Sequence, residues 1–342
     1  MKFLSISLTF LLLSMNIYAQ SKKETVDYEL SALVEAVNKV IKTNYVFPEI
    51  ANDVADKIKE SFKNGIYDKL EKGELAKAIS KDIRDVSNDK HNVFVDIIRS
   101  SKNSKEASSQ LVTQYESRLH NNGIEEVNIL PGNIGYFKYN GFDGLKASKK
   151  GLQSAFELLK NVDALIFDLS DNRGGSPSTV QFISSFFFSN KTLLNRQHWR
   201  KNNEVTELWS LDLPNDYKFD EIPVVIIVSG KTASAAESFS YIMKHNKKAT
   251  IIGSRTSGGA HMAEVFTIEN DFLLQLSIGR AVNPITDSNW EGNGVQPNIE
   301  SATHNIINKS RELLINVLIK KTSDEEMRGN YVKVLKTIQP KK

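Results

Sequence analysis

The apolar positions of this chain recur with a helical period at first and then in short buried runs. From Glu24 to about Ser87 three sets fall on one helix face each: Leu30, Leu33, Val34, Val37 and Ile41; Ile50, Val54, Ile58 and Phe62; Leu75, Ala76, Ile79 and Ile83. Pro48 follows the break at Asn44–Phe47 and fits a helix start. A strand-like run, Val93 to Ile98, comes next. Residues 100–123 are rich in serine and lysine and keep no period, so they read as a linker. From Asn121 onward the pattern is α/β. Strands are expected around Ile134–Phe137, Val162–Leu169, Val224–Val228, Ala249–Ile252 and Phe272–Ile278. Helices are expected over Ala147–Leu159, near Ser178–Phe188, over Ser234–His245 and over Ile306–Ile319. The pattern predicts a small helical N-terminal domain (24–99), an α/β domain (124–320) and an exposed basic tail (321–342). Residues 186–221 alternate aromatic and polar positions and give no assignable element.

One turn in this pattern carries chemistry. The run Val224–Val228 is broken by Ser229-Gly230-Lys231, and helical spacing begins at Ser234. A serine at a strand-to-helix turn lies near free backbone N–H groups and the positive end of the helix dipole. That position suits an N-cap, and equally a nucleophile whose tetrahedral intermediate carries an oxyanion. The stretch alone leaves both readings open. So does Gly174-Gly175 after the strand ending in Asp168, which fits a phosphate loop or a plain tight turn. No Gly-Lys-Ser/Thr accompanies it, which disfavours a nucleotide P-loop.

Composition narrows the class. With 342 residues, 40% apolar and 25% charged, the chain is long enough for a sizeable core. A net charge of +3 without interleaved basic and aromatic runs argues against a nucleic-acid partner. Lys2, the apolar stretch Phe3–Met15 and the small residue Ala19 read as a secretory signal over residues 1–19, cleaved after Ala19. Export to the periplasm or the extracellular space is the expectation. The run is too short for a comfortable membrane span. The cysteine count is 0, which excludes disulfides, cysteine nucleophiles and cysteine zinc sites.

Several segments together resemble the S41 serine peptidases, the C-terminal-processing and tricorn-core-like group. Thr232-Ala233-Ser234-Ala235-Ala236-Glu237 is similar to the nucleophile motif. Asp89-Lys90-His91 resembles the Asp-x-His motif that supplies the general base, with Lys90 where the tricorn core has serine. Asp168-Leu169-Ser170-Asp171-Asn172-Arg173-Gly174-Gly175 resembles the oxyanion loop, with Ser170 in place of arginine. Thr256-Ser257-Gly258-Gly259-Ala260-His261 has Gly259 where the processing branch carries a catalytic lysine, so a Ser/Lys dyad is disfavoured. Asn289-Trp290-Glu291-Gly292-Asn293-Gly294-Val295 completes the set, with Asn298 in place of the usual aspartate. Tyr45-Val46-Phe47-Pro48-Glu49 and the lack of room for a PDZ module resemble the interphotoreceptor-retinoid-binding-protein-like branch.

The resemblance implies a crotonase/Clp-like α/β catalytic domain behind the helical one. It implies peptide hydrolysis on a polypeptide substrate, with Ser234 attacking, His91 as general base and Glu291 supporting the polar network. Backbone N–H groups of Ala235 and of the Gly174-Gly175 loop would form the oxyanion hole. His261, Gly258 and Gly259 would line the substrate site. No metal or cofactor is implied. Taken singly, His91 reads as a surface histidine and Glu291 as a solvated loop glutamate. The competing class is a non-catalytic carrier of apolar ligands on the same scaffold.

Overall fold

The computed structural model describes residues 30–97, 119–214, 219–301 and 305–338. The expected export signal and residues 100–118 of the expected linker lie outside the described residues. Among the described residues no helix is long and apolar enough to cross a membrane. In chain order the elements are α1 (Leu30–Asn44), α2 (Pro48–Lys63), α3 (Lys72–Ser87), β1 (Val93–Asp96), β2 (Ile124–Leu130), β3 (Ile134–Tyr139), α4 (Leu145–Leu159), β4 (Ala164–Asp168) and α5 (Pro177–Ser184). They continue with β5 (Leu193–Trp199), β6 (Glu204–Trp209), β7 (Val224–Val228), α6 (Ala235–His245), β8 (Thr250–Gly253), β9 (His261–Ile268), β10 (Phe272–Val282), β11 (Ile299–Glu300), α7 (Ile306–Lys321) and α8 (Glu325–Ile338).

One sheet runs β11-β8-β7-β4-β3-β2. Its neighbours are parallel except β2 and β3. Parallel strands covered on both faces need near-continuous apolar runs, and every residue of β4 and β7 is buried. Alternation splits them between two cores. Leu165, Phe167 and Ile226 join α4, α5 and α6 through Phe156, Ile183 and Phe239. Ala164, Ile166 and Ile227 join α7 and α8 through Leu314, Ile315 and Tyr331. Phe167 is fully buried, and truncating such a ring to alanine costs about 3–5 kcal/mol.

The second sheet is antiparallel, β1-β10-β5-β6, with β9 added on β10. The segment 186–221, left unassigned by its pattern, contributes the hairpin β5–β6 to this sheet. The apolar stripes of α1, α2 and α3 close over β10. Leu33, Val37, Ile58 and Ile79 share one cluster with Phe94, Phe272 and Leu274, and the Phe94 and Phe272 rings stack at 4.9 Å. The helical segment therefore shares one core with the second sheet, its three amphipathic stripes packing on one another and on an apolar sheet face.

The end of the chain, expected as an exposed basic tail, is mostly exposed but forms a helix anchored to the core. Residues 325–338 form α8, Tyr331 is buried, and its hydroxyl donates to Asp163 Oδ2 at 2.9 Å. Val334 and Leu335 pack on the same core as α7. The lysines of this segment mask a helical stripe that their abundance had hidden.

Candidate active site

Ser234 stands between β7 and α6, at the carboxyl edge of the parallel sheet, where α/β folds place their ligands. Its backbone is at φ +52°, ψ −116°. A plain N-cap residue is extended, so capping does not require this conformation. A strained serine on a strand-to-helix turn is the geometry that exposes a nucleophile. The Glu237 carboxylate holds the turn by accepting the Ser234 N–H at 2.8 Å. Thr232 fixes its other side, with its hydroxyl donating to Leu169 O at 2.8 Å and accepting the Ser229 N–H at 2.9 Å.

The adjacent strand β4 delivers the glycine loop. Asn172 is fully buried and ties the two turns together: its Nδ2 donates to Tyr139 O at 2.7 Å, and its carbonyl accepts the Ala233 N–H at 3.0 Å. Gly174 (φ +103°) lies so close to the serine turn that a Cβ there would come within 2.7 Å of the Ser234 Cβ. A Cβ on Gly175 (φ +137°) would meet Phe142 O at 2.1 Å. Only glycine permits this approach. The Gly174 N–H is already given to Asn172 Oδ1 at 2.8 Å, which removes it as an oxyanion donor. Among the described residues the N–H groups of Gly175 and Ala235 have no acceptor, and both residues line one cavity with Ser234.

The opposite wall comes from the antiparallel sheet. His91 ends the turn between α3 and β1, and its carbonyl accepts from Gln275 Nε2 on β10 at 2.9 Å. Its Nδ1 lies 3.2 Å from Asp89 Oδ1, and its own N–H donates to that oxygen at 2.9 Å. The second carboxylate oxygen of Asp89 lies 2.8 Å from His261 Nδ1. Burial works to raise the Asp89 pKa, but the hydrogen bonds from His261 and His91 outweigh it and hold the carboxyl well below the usual range. An ionised carboxylate only accepts, so both rings present N–H at Nδ1 and leave Nε2 as the basic nitrogen. The hydrogen bond to Asp89 raises the His91 pKa; burial opposes it, and the charges of Glu291, Asp89 and Glu237 add to it.

Asp89 is thus the carboxylate in hydrogen-bond range of both imidazoles, and Glu291 is not. Glu291 Oε1 is 3.7 Å from His91 Nδ1 and Oε2 is 3.7 Å from His261 Nδ1, beyond hydrogen-bond range. Its Oε2 accepts the N–H groups of Ala260 at 2.5 Å and His261 at 3.1 Å instead. The fully buried Glu237 clamps the two walls together. Besides Ser234 it takes the Thr256 hydroxyl at 2.5 Å and the N–H groups of Gly258 at 2.7 Å and Gly259 at 2.9 Å. Burial raises its pKa against those hydrogen bonds. A side chain on Gly259 would meet His91 Nε2 at 3.2 Å, so the imidazole fills the space such a side chain would need. Trp290 Nε1 donates to Gly259 O at 2.8 Å and locks that segment. Lys231 is drawn off to Asp171 at 2.9 Å, and Lys247 lines a separate crevice.

All nine expected residues therefore meet in one place. Gly175, Ser234, Ala235, Gly259 and His261 line a cavity of about 290 Å³, with Val180, Leu208 and Met262 supplying apolar wall. Gly174, Gly258, His91 and Glu291 stand directly behind them. Asp89 and Glu237 gave no signal of their own along the sequence, although each is a letter of a motif already singled out. Only their contacts give them a role.

A strained serine over free amides, faced by a carboxylate-held imidazole, is the apparatus of acyl transfer. The sequence model of peptidase family S41 matches residues 133–301, and that of the N-terminal domain of S41 peptidases in eukaryotic IRBP matches residues 24–125. The chain belongs to peptidase family S41. It is 27% identical over 186 residues to the chloroplastic carboxyl-terminal-processing peptidase 2 of Arabidopsis thaliana, covering 52% of this chain and 35% of that protein. It is 28% identical over 176 residues to a probable CtpA-like serine protease of Staphylococcus haemolyticus, covering 50% of this chain and 34% of that one. The chain thus spans about a third of the length of these relatives. The crystal structure of a putative peptidase from Parabacteroides merdae superposes with a TM-score of 0.61 at 21% identity, over 86% of this chain and 98% of that one. The photosystem II D1 C-terminal processing protease gives 0.55 at 14% identity, over 79% and 92%. Both share the fold.

Proposed function

We propose that this chain is an exported serine endopeptidase of the carboxy-terminal-processing type. The observation that carries the reading is the Ser234 backbone at φ +52° beside the unpaired amides of Gly175 and Ala235. Ser234 Oγ attacks the scissile carbonyl while His91 Nε2 takes its proton. The oxyanion accepts from Gly175 and Ala235. His91⁺ returns the proton to the leaving amine, and Asp89 holds the ring in the required tautomer throughout. Water then attacks the acyl-enzyme by the same route in reverse. The apolar wall beside Ser234 accommodates an apolar substrate side chain.

The family match and relatives named as processing peptidases support this over the carrier reading. A fluorophosphonate probe tests it: the wild type is expected to label and Ser234→Ala is not. Uptake of an apolar ligand by a protein that refuses the probe would restore the carrier. The export half is tested separately, since the mature protein should begin near Gln20 when sequenced from its N-terminus.

A further inference from the structure

Asp89, His91, His261 and Glu291 form a closed ring in which carboxylates and imidazoles alternate. Its four sides measure 3.2 Å, 2.8 Å, 3.7 Å and 3.7 Å. One donor atom from each residue lies within 4.8 Å of the others. A tetrahedral zinc ion sets its ligand atoms about 3.3–3.6 Å apart, as bonds of about 2.0–2.2 Å require. The ring therefore closes on an ion with shifts on the order of 1 Å. It is largely buried: side-chain exposure is 2% for Asp89, 5% for His261, 16% for Glu291 and 25% for His91. Among the described residues neither carboxylate is paired with a lysine or arginine. Two carboxylates converging on one point supply the donor charge that suits a dication. The mixed nitrogen and oxygen donors suit zinc better than magnesium or calcium, which take oxygen alone.

We propose that this ring binds a divalent cation of the zinc class and that the bound ion switches the site off. The second half rests on the peptidase reading above. The ion bonds to Nδ1 of both rings, the atoms that now donate to Asp89. In a neutral ring the single proton moves from Nδ1 to Nε2; in a protonated ring the Nδ1 proton leaves to solvent and the Nε2 proton stays. In His91 that is the nitrogen that must be empty to accept the Ser234 proton. An ion here removes the base while leaving the nucleophile and the oxyanion amides untouched.

Equilibrium dialysis of the mature protein against Zn²⁺ at neutral pH tests the site, with metal counted by atomic emission. One ion per chain is expected. Binding should be at least tenfold weaker in Asp89→Asn, His261→Gln and Glu291→Gln, each checked for folding by circular dichroism. Co²⁺ should bind with the intense visible bands of a four-coordinate ion. No bound ion, or equal binding by wild type and all folded variants, overturns the site. The switch is read by fluorophosphonate labelling: Zn²⁺ should slow wild-type labelling at least tenfold, and chelation should restore it. In His261→Gln the ratio of labelling with and without Zn²⁺ should approach one. An ion bound by the ring without any effect on labelling overturns the switch. A metal-free protein that never labels counts against the peptidase reading, while dialysis still decides the ring.

Discussion

The two walls of the cleft are built on different principles. The parallel sheet delivers Ser234 and the Gly174-Gly175 loop from adjacent strands, β7 and β4, each followed directly by its turn. The antiparallel sheet delivers Asp89, His91 and His261 from segments about 170 residues apart, which meet only because β1 and β9 flank β10. In the first wall each turn follows its own buried strand directly. The second is non-local and held by a charged network. The Ser234 turn therefore depends on backbone geometry, and the His91 ring depends on electrostatics carried across the cleft.

The sharpest break of the first wall is Ser234→Ala. Turnover should fall by several powers of ten because the covalent route is lost, while stability falls by only about 1 kcal/mol, the capping hydrogen bond that Ser234 takes from the Glu237 N–H. A variant that melts early yet cleaves at wild-type rate would reduce Ser234 to a cap. Glu237→Ala removes the clamp between the walls and leaves four donors without their acceptor. A loss of about 3 kcal/mol or more is expected in denaturant unfolding, given about 1–3 kcal/mol for each buried unsatisfied group. Unchanged unfolding would mean the walls hold together without it.

On the second wall, His91→Ala should lower turnover by at least about a hundredfold, the scale of a positioned acid–base group. Undiminished activity would transfer the base role to His261. Asp89→Asn should lower turnover by up to about ten-thousandfold, the scale for an orienting carboxylate whose loss leaves the imidazole in the wrong tautomer, and it carries the more specific signature. The raised His91 pKa keeps the ring protonated, and so unable to accept, up to a pH above the ordinary value of about 6.5. The acid limb of kcat/KM should therefore lie above that value in the wild type and move to lower pH in Asp89→Asn. A limb that stays in place would show that Asp89 does not set the base.

The departures from the family pattern also divide between the walls. Asn298 still ties its loop to β8, since its Oδ1 accepts the Ile251 N–H at 2.9 Å and its own N–H donates to Ile251 O at 2.8 Å. Ser170 still leads the loop through its carbonyl, which accepts the Ser229 hydroxyl at 2.5 Å. Gly259 is matched to His91, whose ring fills the space a lysine would enter.

The sequence by itself determined the N-terminal helices, the buried strands with their following helices, and one wall of the site. Buried parallel strands write uninterrupted apolar runs, and a serine at the end of such a run is located by local spacing alone. Motif spelling also carried His91, Glu291 and His261 to the right neighbourhood. The tertiary structure alone decided their contacts. It made Asp89 the orienting carboxylate, gave Glu291 to the Ala260 and His261 amides, spent the Gly174 N–H on Asn172 and turned residues 193–209 into a hairpin of the second sheet. It also folded the lysine-rich end into α8 against the core. These outcomes turn on differences of about 1 Å between a hydrogen bond and a near miss, over chain separations that no local period records.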